Sequence, residues 1–301
     1  MRSPRLAAAV SFFLFVALLC PGPAHSVGPI PMDKALADAV ASFVADAVSV
    51  MATKEPLRLI LVVKDRQRLF VVEHDGRRPR VHVQYICATG ENRGNKKVRG
   101  DEKTPEGVYF ITQVYADSKV TVFGRRAFHL DYPNYFDQEA KRGGDGIFIH
   151  GTNRELRSNS TNGCVTLDNR DLDELARYLA RDEVPVIIVP QLTRAKKRVE
   201  DYDANQIGPV KAFLLPDGVD REQMDFDTLY MVRASGQTVA VSEFSGIGKD
   251  GDKGMRGYSR SYLQYAPTSG WVTAQWVWHP ATKQVQTATA VNAAPRRFIL
   301  F

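Results

Sequence analysis

The spacing of apolar positions changes character along the chain. Residues 32–53 contain neither Pro nor Gly, and Leu36, Val40, Phe43, Ala47 and Val50 recur at steps of four and three. That spacing lays one apolar stripe along an amphipathic helix. The stripe either packs on the rest of the chain or pairs with a second copy, giving a homodimer through the N-terminal helix. From Leu57 the period shortens. LRLILVVKD, RLFVVEHDG and RVHVQYICATG are β-branched and aromatic runs separated by charged turns, the pattern of an antiparallel sheet. TPEGVYFITQVYA, FHLDYPN and GIFIHG continue it. LDNRDLDELARYLARD then turns helical, with Asp168 or Asn169 as cap, acids in the first turn, and Arg177 and Arg181 near the end. VPVIIVP returns as a strand. Residues 57–190 therefore read as one mainly-β domain with a helix, an α+β arrangement.

RAKKR (residues 194–198) opens a polar connector over residues 191–205, which reads as a solvated linker or as a basic grip on an acidic polymer. Residues 206–301 read as a small antiparallel sheet domain, from TLYMVRA, TVAVSEF, YSRSYLQYA, WVTAQWVWH and VQTATAV. Tyr262, Tyr265, Trp271, Trp276 and Trp278 alternate through it. Rings at this spacing form the core of a small sheet or a platform for stacking on sugars.

Composition narrows the setting. With 301 residues, 44% hydrophobic and 25% charged, the chain suits a globular protein of more than one unit. Residues 1–26 stand apart: Arg2 and Arg5 precede an apolar run, SFFLFVALL, too short to span a bilayer, and Ala24-His25-Ser26 follows. This is the layout of a signal peptide cleaved after Ser26, followed by the N-terminal helical segment (residues 27–56). Export to the periplasm is the expectation. Cleavage takes Arg2 and Arg5 with it, so the net charge falls from +6 to +4. That is too little for a nucleic-acid partner but compatible with anionic envelope polymers. Cys87 and Cys164 remain, too few for a disulfide scaffold and wrongly placed for a structural zinc site, so neither metal nor cofactor is expected. Residues 90–100, GENRGNKKVRG, lack the Gly-Lys-Ser/Thr ending of a phosphate loop. They read as a mobile lid over a cleft rather than a nucleotide site.

One stretch carries chemistry: HGTNRELRSNSTNGCVTL, residues 150–167. A lone cysteine is most often an inert buried hydrophobe, the reading given to Cys87 in VQYICATG. Cys164 differs because it follows Asn162-Gly163 in a turn, after a strand-end histidine. A free thiol is little ionised at neutral pH and needs a base or a cation to act as nucleophile. His150, closing the apolar strand Ile147-Phe148-Ile149, is placed to be that base at the sheet rim. Gly163 lets backbone approach closely, and N–H groups around such a turn can converge on an oxyanion.

The same stretch resembles the active-site signature of the L,D-transpeptidase (YkuD-type) family, in which a strand-end His-Gly precedes a Ser/Thr-x-Gly-Cys turn. The opening hairpin, ATG, TPEGVYFI and the histidine strand occur in the family's order across residues 57–190. FHLDYPNYFDQEAKRGGDGIFIHGT is similar to the subgroup of murein-trimming and lipoprotein-releasing members. The resemblance implies a mixed β-sandwich around the cysteine loop and the peptide stems of peptidoglycan as substrate. By position, Cys164 would form a thioester with the stem and release D-alanine. His150 would move the proton, and the Gly151 carbonyl would orient its ring. The Gly163 and Cys164 N–H groups would hold the oxyanion. Asn162 and Thr166 stand where many members have His and Arg, and are assigned with Tyr132 to substrate binding; His129 and Tyr132 line the cleft or pack beneath it. Water as acceptor would give an L,D-carboxypeptidase, and an amine a cross-link. The layout of helix, catalytic domain and small C-terminal sheet is similar to cell-shape-determining L,D-carboxypeptidases, whose last domain is nuclear-transport-factor-like. A scaffold that has lost catalysis is the alternative of another class.

Overall fold

Strands β2 (Leu57–Val63), β9 (Pro185–Val189) and the centre of β3 (Arg68–His74), Leu69 to Val72, are nearly continuous apolar runs. Such continuous runs suit strands covered on both faces. In the computed structural model, which describes residues 30–116, 123–179, 184–193, 219–248, 253–266 and 270–280, that is their situation. Ile60, Val62, Leu69, Val71, Val186 and Ile188 face one core, shared with Leu172 and Leu175 of helix α3 (Asn169–Leu175). Leu59, Leu61, Val63, Phe70, Val72, Ile187 and Val189 face a second core.

These strands are central to an eight-stranded sheet completed by β4 (Pro79–Ile86), β5 (Gly107–Ala116), β6 (Arg126–Leu130), β7 (Phe148–Thr152) and β8 (Val165–Asp168). Its order is β4-β3-β2-β9-β5-β6-β7-β8. The pairs β2–β9 and β7–β8 are parallel and the rest antiparallel, so the sheet is mixed. Its two edges meet through a bridge between Ala88 and Thr166, with N–H···O bonds of 2.8 and 2.9 Å in the two directions. The sheet is thereby curled into a barrel-like layer around the first core, with the bridge beside Cys164.

The second core lies between this sheet and a five-stranded one, ordered β1-β10-β11-β12-β13. It comprises β1 (Val48–Thr53), β10 (Val219–Ala234), β11 (Gln237–Gly248), β12 (Lys253–Ala266) and β13 (Gly270–Pro280). Helix α1 (Lys34–Ala47) starts at Asp33, whose carboxylate accepts the Ala35 N–H, and buries Val40, Val44 and Ala47 in the same core. The expected helix over 32–53 is thus too long. Val48 turns extended and Val48–Thr53 pairs antiparallel with β10, Val48 opposite Val232 and Thr53 opposite Thr228. Edge pairing of a β-branched run overrides the helical spacing there. The apolar stripe packs on its own chain, with Val40 and Ala47 buried in the second core and Leu36, Phe43 and Val50 partly buried against it. Tyr262 belongs to this core, as expected for the aromatic cluster; the side chains of Tyr265, Trp271, Trp276 and Trp278 lie outside the described residues, as do the signal segment, RAKKR and VQTATAV.

Buried polar bonds join the two sheets. Asp131 accepts the Phe110 N–H (2.8 Å) and the Tyr262 hydroxyl (3.0 Å), and pairs with Arg260 at 3.4 Å. The Gln237 side chain accepts from Val108 N–H at 2.8 Å and from the Asn134 amide at 2.9 Å. Asn134 also caps a short helix, α2 (Tyr135–Glu139), through a reciprocal capping box with Asp137. Among the described residues no helix is long and apolar enough to cross a membrane.

Candidate active site

The parallel pairing of β7 and β8 puts Cys164 two residues before the partner of His150. The register sets His150 opposite Thr166 and Ile149 opposite Val165, and Cys164 sits at the entrance to β8. The preceding loop is fixed to the curled edge of the sheet. Asn159 N–H donates to the Gln67 side chain at 2.9 Å, Thr161 N–H to Thr89 O at 3.2 Å, and Glu91 N–H to Thr161 O at 3.0 Å.

The histidine is buried and its tautomer follows from its partners. Nδ1 lies 2.7 Å from the Gly151 carbonyl, which can only accept, so Nδ1 carries the proton. In the neutral ring, Nε2 is then an acceptor, and the Thr166 hydroxyl donates to it at 3.1 Å. The expected orientation toward Gly151 holds. The second half of that expectation does not: the resting nitrogen is bonded to Thr166, while the Cys164 thiol lies 3.6 Å from the Gly146 carbonyl. Thr166, 6% exposed, is therefore taken up by the His150 ring and largely closed to solvent.

Burial lowers the His150 pKa below its ordinary value, against the opposing bond to Gly151. Cys164 is only partly covered as a residue, yet packing around the sulfur pushes its thiol up to about 11, opposed by a backbone hydrogen bond from Phe148 and by the Lys96 ammonium. At neutral pH the two groups therefore rest as thiol and neutral imidazole, not as an ion pair. The sign of the pH dependence follows. Thiolate grows as pH rises, so alkylation of native Cys164 by iodoacetamide should accelerate continuously and reach no plateau below about pH 10. A plateau near pH 7 would show a preformed thiolate. Cys87 is fully buried in the first core, and burial pushes its thiol up to about 12, as its reading as a core residue requires.

Gly163 is buried with φ +127°, and a Cβ there would lie 2.7 Å from the Lys103 carbonyl. Only glycine fits this turn. Its N–H is committed to the Thr161 hydroxyl at 3.1 Å, and that hydroxyl donates to Cys164 O at 2.7 Å. The expected pair of oxyanion donors is thus not preformed at Gly163. Asn162 is exposed beside it. Tyr132 is a correction: it is 3% exposed, packs edge-on against Tyr109, and spends its hydroxyl on Gly143 O at 3.0 Å. An apolar ring so placed contributes to the core, not to a cleft. His129 stays half-buried, bonded to Thr112 at 2.8 Å, with its ring 4.8 Å from Phe148.

The reading of residues 90–100 as a mobile lid also needs correction. Lys64 Nζ donates to Gly94 O and Thr104 O at 2.6 and 2.8 Å and pairs with Glu106 at 2.8 Å. Lys96, 3% exposed, pairs with Asp101 at 2.8 Å. Burial raises the Asp101 pKa, but Lys96 and the N–H groups of Lys97, Val98 and Lys103 outweigh it and hold the carboxyl at about 2. The segment is pinned by these bonds. Lys96 escaped the sequence reading because a Lys-Lys pair in a Gly-rich stretch looks solvated. Phe123 and Phe148, stacked 5.3 Å apart with Phe123 edge-on to His150 at 4.8 Å, had no signal beyond their apolarity.

Residues 57–188 match the family model of the YkuD L,D-transpeptidase catalytic domain. YafK of Escherichia coli (strain K12) is 27% identical over 126 residues, 39% of this chain and 47% of YafK. The chain thus spans about half the length of that relative. Bd1075 of Bdellovibrio bacteriovorus superposes with a TM-score of 0.57 at 20% identity, covering 78% of this chain and 98% of that one. The helical cell shape determining protein Pgp2 of Campylobacter jejuni gives 0.55 at 18% identity, covering 77% and 94%. At these identities the two structures speak for the fold, and they extend it into the five-stranded sheet. The domain that holds Cys164 and His150 belongs to the YkuD family of L,D-transpeptidase catalytic domains.

Proposed function

We propose that this protein is an exported, cysteine-dependent enzyme acting on the peptide stems of peptidoglycan. The observation that supports the reading is the pairing of β7 with β8 in a domain that matches the L,D-transpeptidase family: His150, its Nδ1 on the Gly151 carbonyl, lies opposite Thr166, two residues after Cys164. In the reaction, the Thr166 hydroxyl gives up His150 Nε2 and the Cys164 thiol presents its proton there. The sulfur attacks the carbonyl carbon that joins the L-centre of diaminopimelate to the terminal D-alanine. The C–N bond breaks, His150 returns the proton to the leaving amine, and a thioester remains. Water or an amine then attacks the thioester, losing its proton to His150, and the thiol is restored. The Cys164 N–H is the remaining oxyanion donor of the turn, joined by Gly163 if Thr161 releases it.

Incubation of the mature protein, residues 27–301, with purified tetrapeptide sacculi and mass analysis of the muropeptides tests the reading. Tripeptide stems alone identify water as acceptor and an L,D-carboxypeptidase. New dimers identify an amine and a transpeptidase. Unchanged tetrapeptides would leave the non-catalytic scaffold in its place.

A further inference from the structure

We infer that Asn169 is a positioning residue for this reaction, setting the His150 imidazole through the backbone of Gly151 and Thr152; the inference rests on His150 serving as the base. Asn169 is the first residue of α3, directly after the N-cap Asp168. Its carboxamide nitrogen donates to the Thr152 carbonyl and to the Asn153 side-chain oxygen, both at 2.9 Å. A backbone carbonyl only accepts, so the nitrogen end of the amide is fixed on that side. The oxygen end then points inward, where it is buried and meets no donor. Desolvating a carbonyl without a partner works against folding, so the amide is held there by its nitrogen and its shape.

That oxygen lies against two glycines remote in sequence. A Cβ on Gly151 or on Gly124 would stand 2.1 Å from it, so both positions are cut to fit one atom. The peptide groups after His150 are consequently held on several sides. Gly151 N–H donates to Phe123 O at 3.1 Å, Asn169 takes the Thr152 carbonyl, and its oxygen wedges the Gly151 α-carbon. Between these contacts lies the Gly151 carbonyl that accepts from His150 Nδ1 at 2.7 Å. A fixed acceptor keeps the proton on Nδ1 and leaves Nε2 as the base.

Two variants separate this from a role in docking α3. N169D keeps the shape but turns a carboxylate oxygen toward the Thr152 carbonyl, whereas N169A removes both ends of the amide. Nitrogen NMR of 15N-histidine-labelled protein reads the ring tautomer without substrate. The wild type should show the Nδ1–H form at neutral pH, and both variants a mixture. Turnover of tetrapeptide muropeptides should fall about 10- to 100-fold in kcat, as for a small misplacement of a catalytic group, with KM little changed. Folded variants with the wild-type tautomer would overturn the inference, whatever their kcat. A tautomer that moves while the wild type turns over no muropeptide would sink the proposed reaction and leave the positioning role standing.

Discussion

Cys164→Ala should fold as the parent does and form no product from tetrapeptide stems. Under the proposed covalent mechanism, loss of the nucleophile lowers kcat by about 10⁴- to 10⁶-fold. Stability should hardly move. The residue is partly exposed, its contact to Gly146 O is a long 3.6 Å, and Ala keeps the Cβ, so the change should stay within about 1 kcal/mol. The two measurements are the melting temperature and the mass spectrum of digested sacculi. A variant that still trims or cross-links would remove Cys164 from the mechanism, and Cys87, sealed in the first core, offers no substitute.

Gly163→Ala should damage both stability and rate. The added methyl meets a backbone oxygen, Lys103 O, at 2.7 Å, which no rotamer change relieves, and φ +127° lies where L-residues are strained. Together these cost about 1–3 kcal/mol if the turn keeps its shape. If the turn shifts instead, it takes Cys164 with it and moves the sulfur relative to His150; a displacement near 1 Å costs about 100-fold in rate. Denaturant unfolding reads the first effect, and kcat with the iodoacetamide rate reads the second. Wild-type values in all three would mean the turn is far more plastic than its contacts imply. His150 should retain its bond to Gly151 in this variant, since that strand is held separately by Asn169 and Phe123.

How legible the structure was in the sequence depended on what each segment packs against. Strands β2, β3, β5 and β9 were plain because their apolar runs are long and covered on both faces. The cap of α3 was plain because Asp168 is a local signal, and its carboxylate does accept the Arg170 N–H. Val48–Thr53 was misread because Val50 continues the helical stripe of Val40 and Ala47, and nothing local announces the partner β10, some 180 positions away in sequence. Strand β8, four residues long, has no period to detect; it exists because β7 offers it a parallel edge. Helix α2 is shorter still, though Asn134 followed three places on by Asp137 was a usable capping signal. In residues 90–100 the charges were taken for solvent contacts, but Lys96 and Asp101 turn inward and neutralise each other.

By itself, then, the order of residues established the domain's class and singled out Cys164 and His150 as the candidate pair, because alternation, turn glycines and a strand-end histidine before a Gly-Cys turn are local features. What only the tertiary structure decided are the relations among distant groups. The Nε2 of His150 rests on Thr166, the Gly163 N–H is taken by Thr161, Tyr132 is sealed in the core, and one amide oxygen of Asn169 sits against Gly124 and Gly151. The physical reason is that hydrogen bonds and close contacts act over about 3 Å in space, and proximity between remote segments arises when the sheet curls and its edges meet at Ala88 and Thr166.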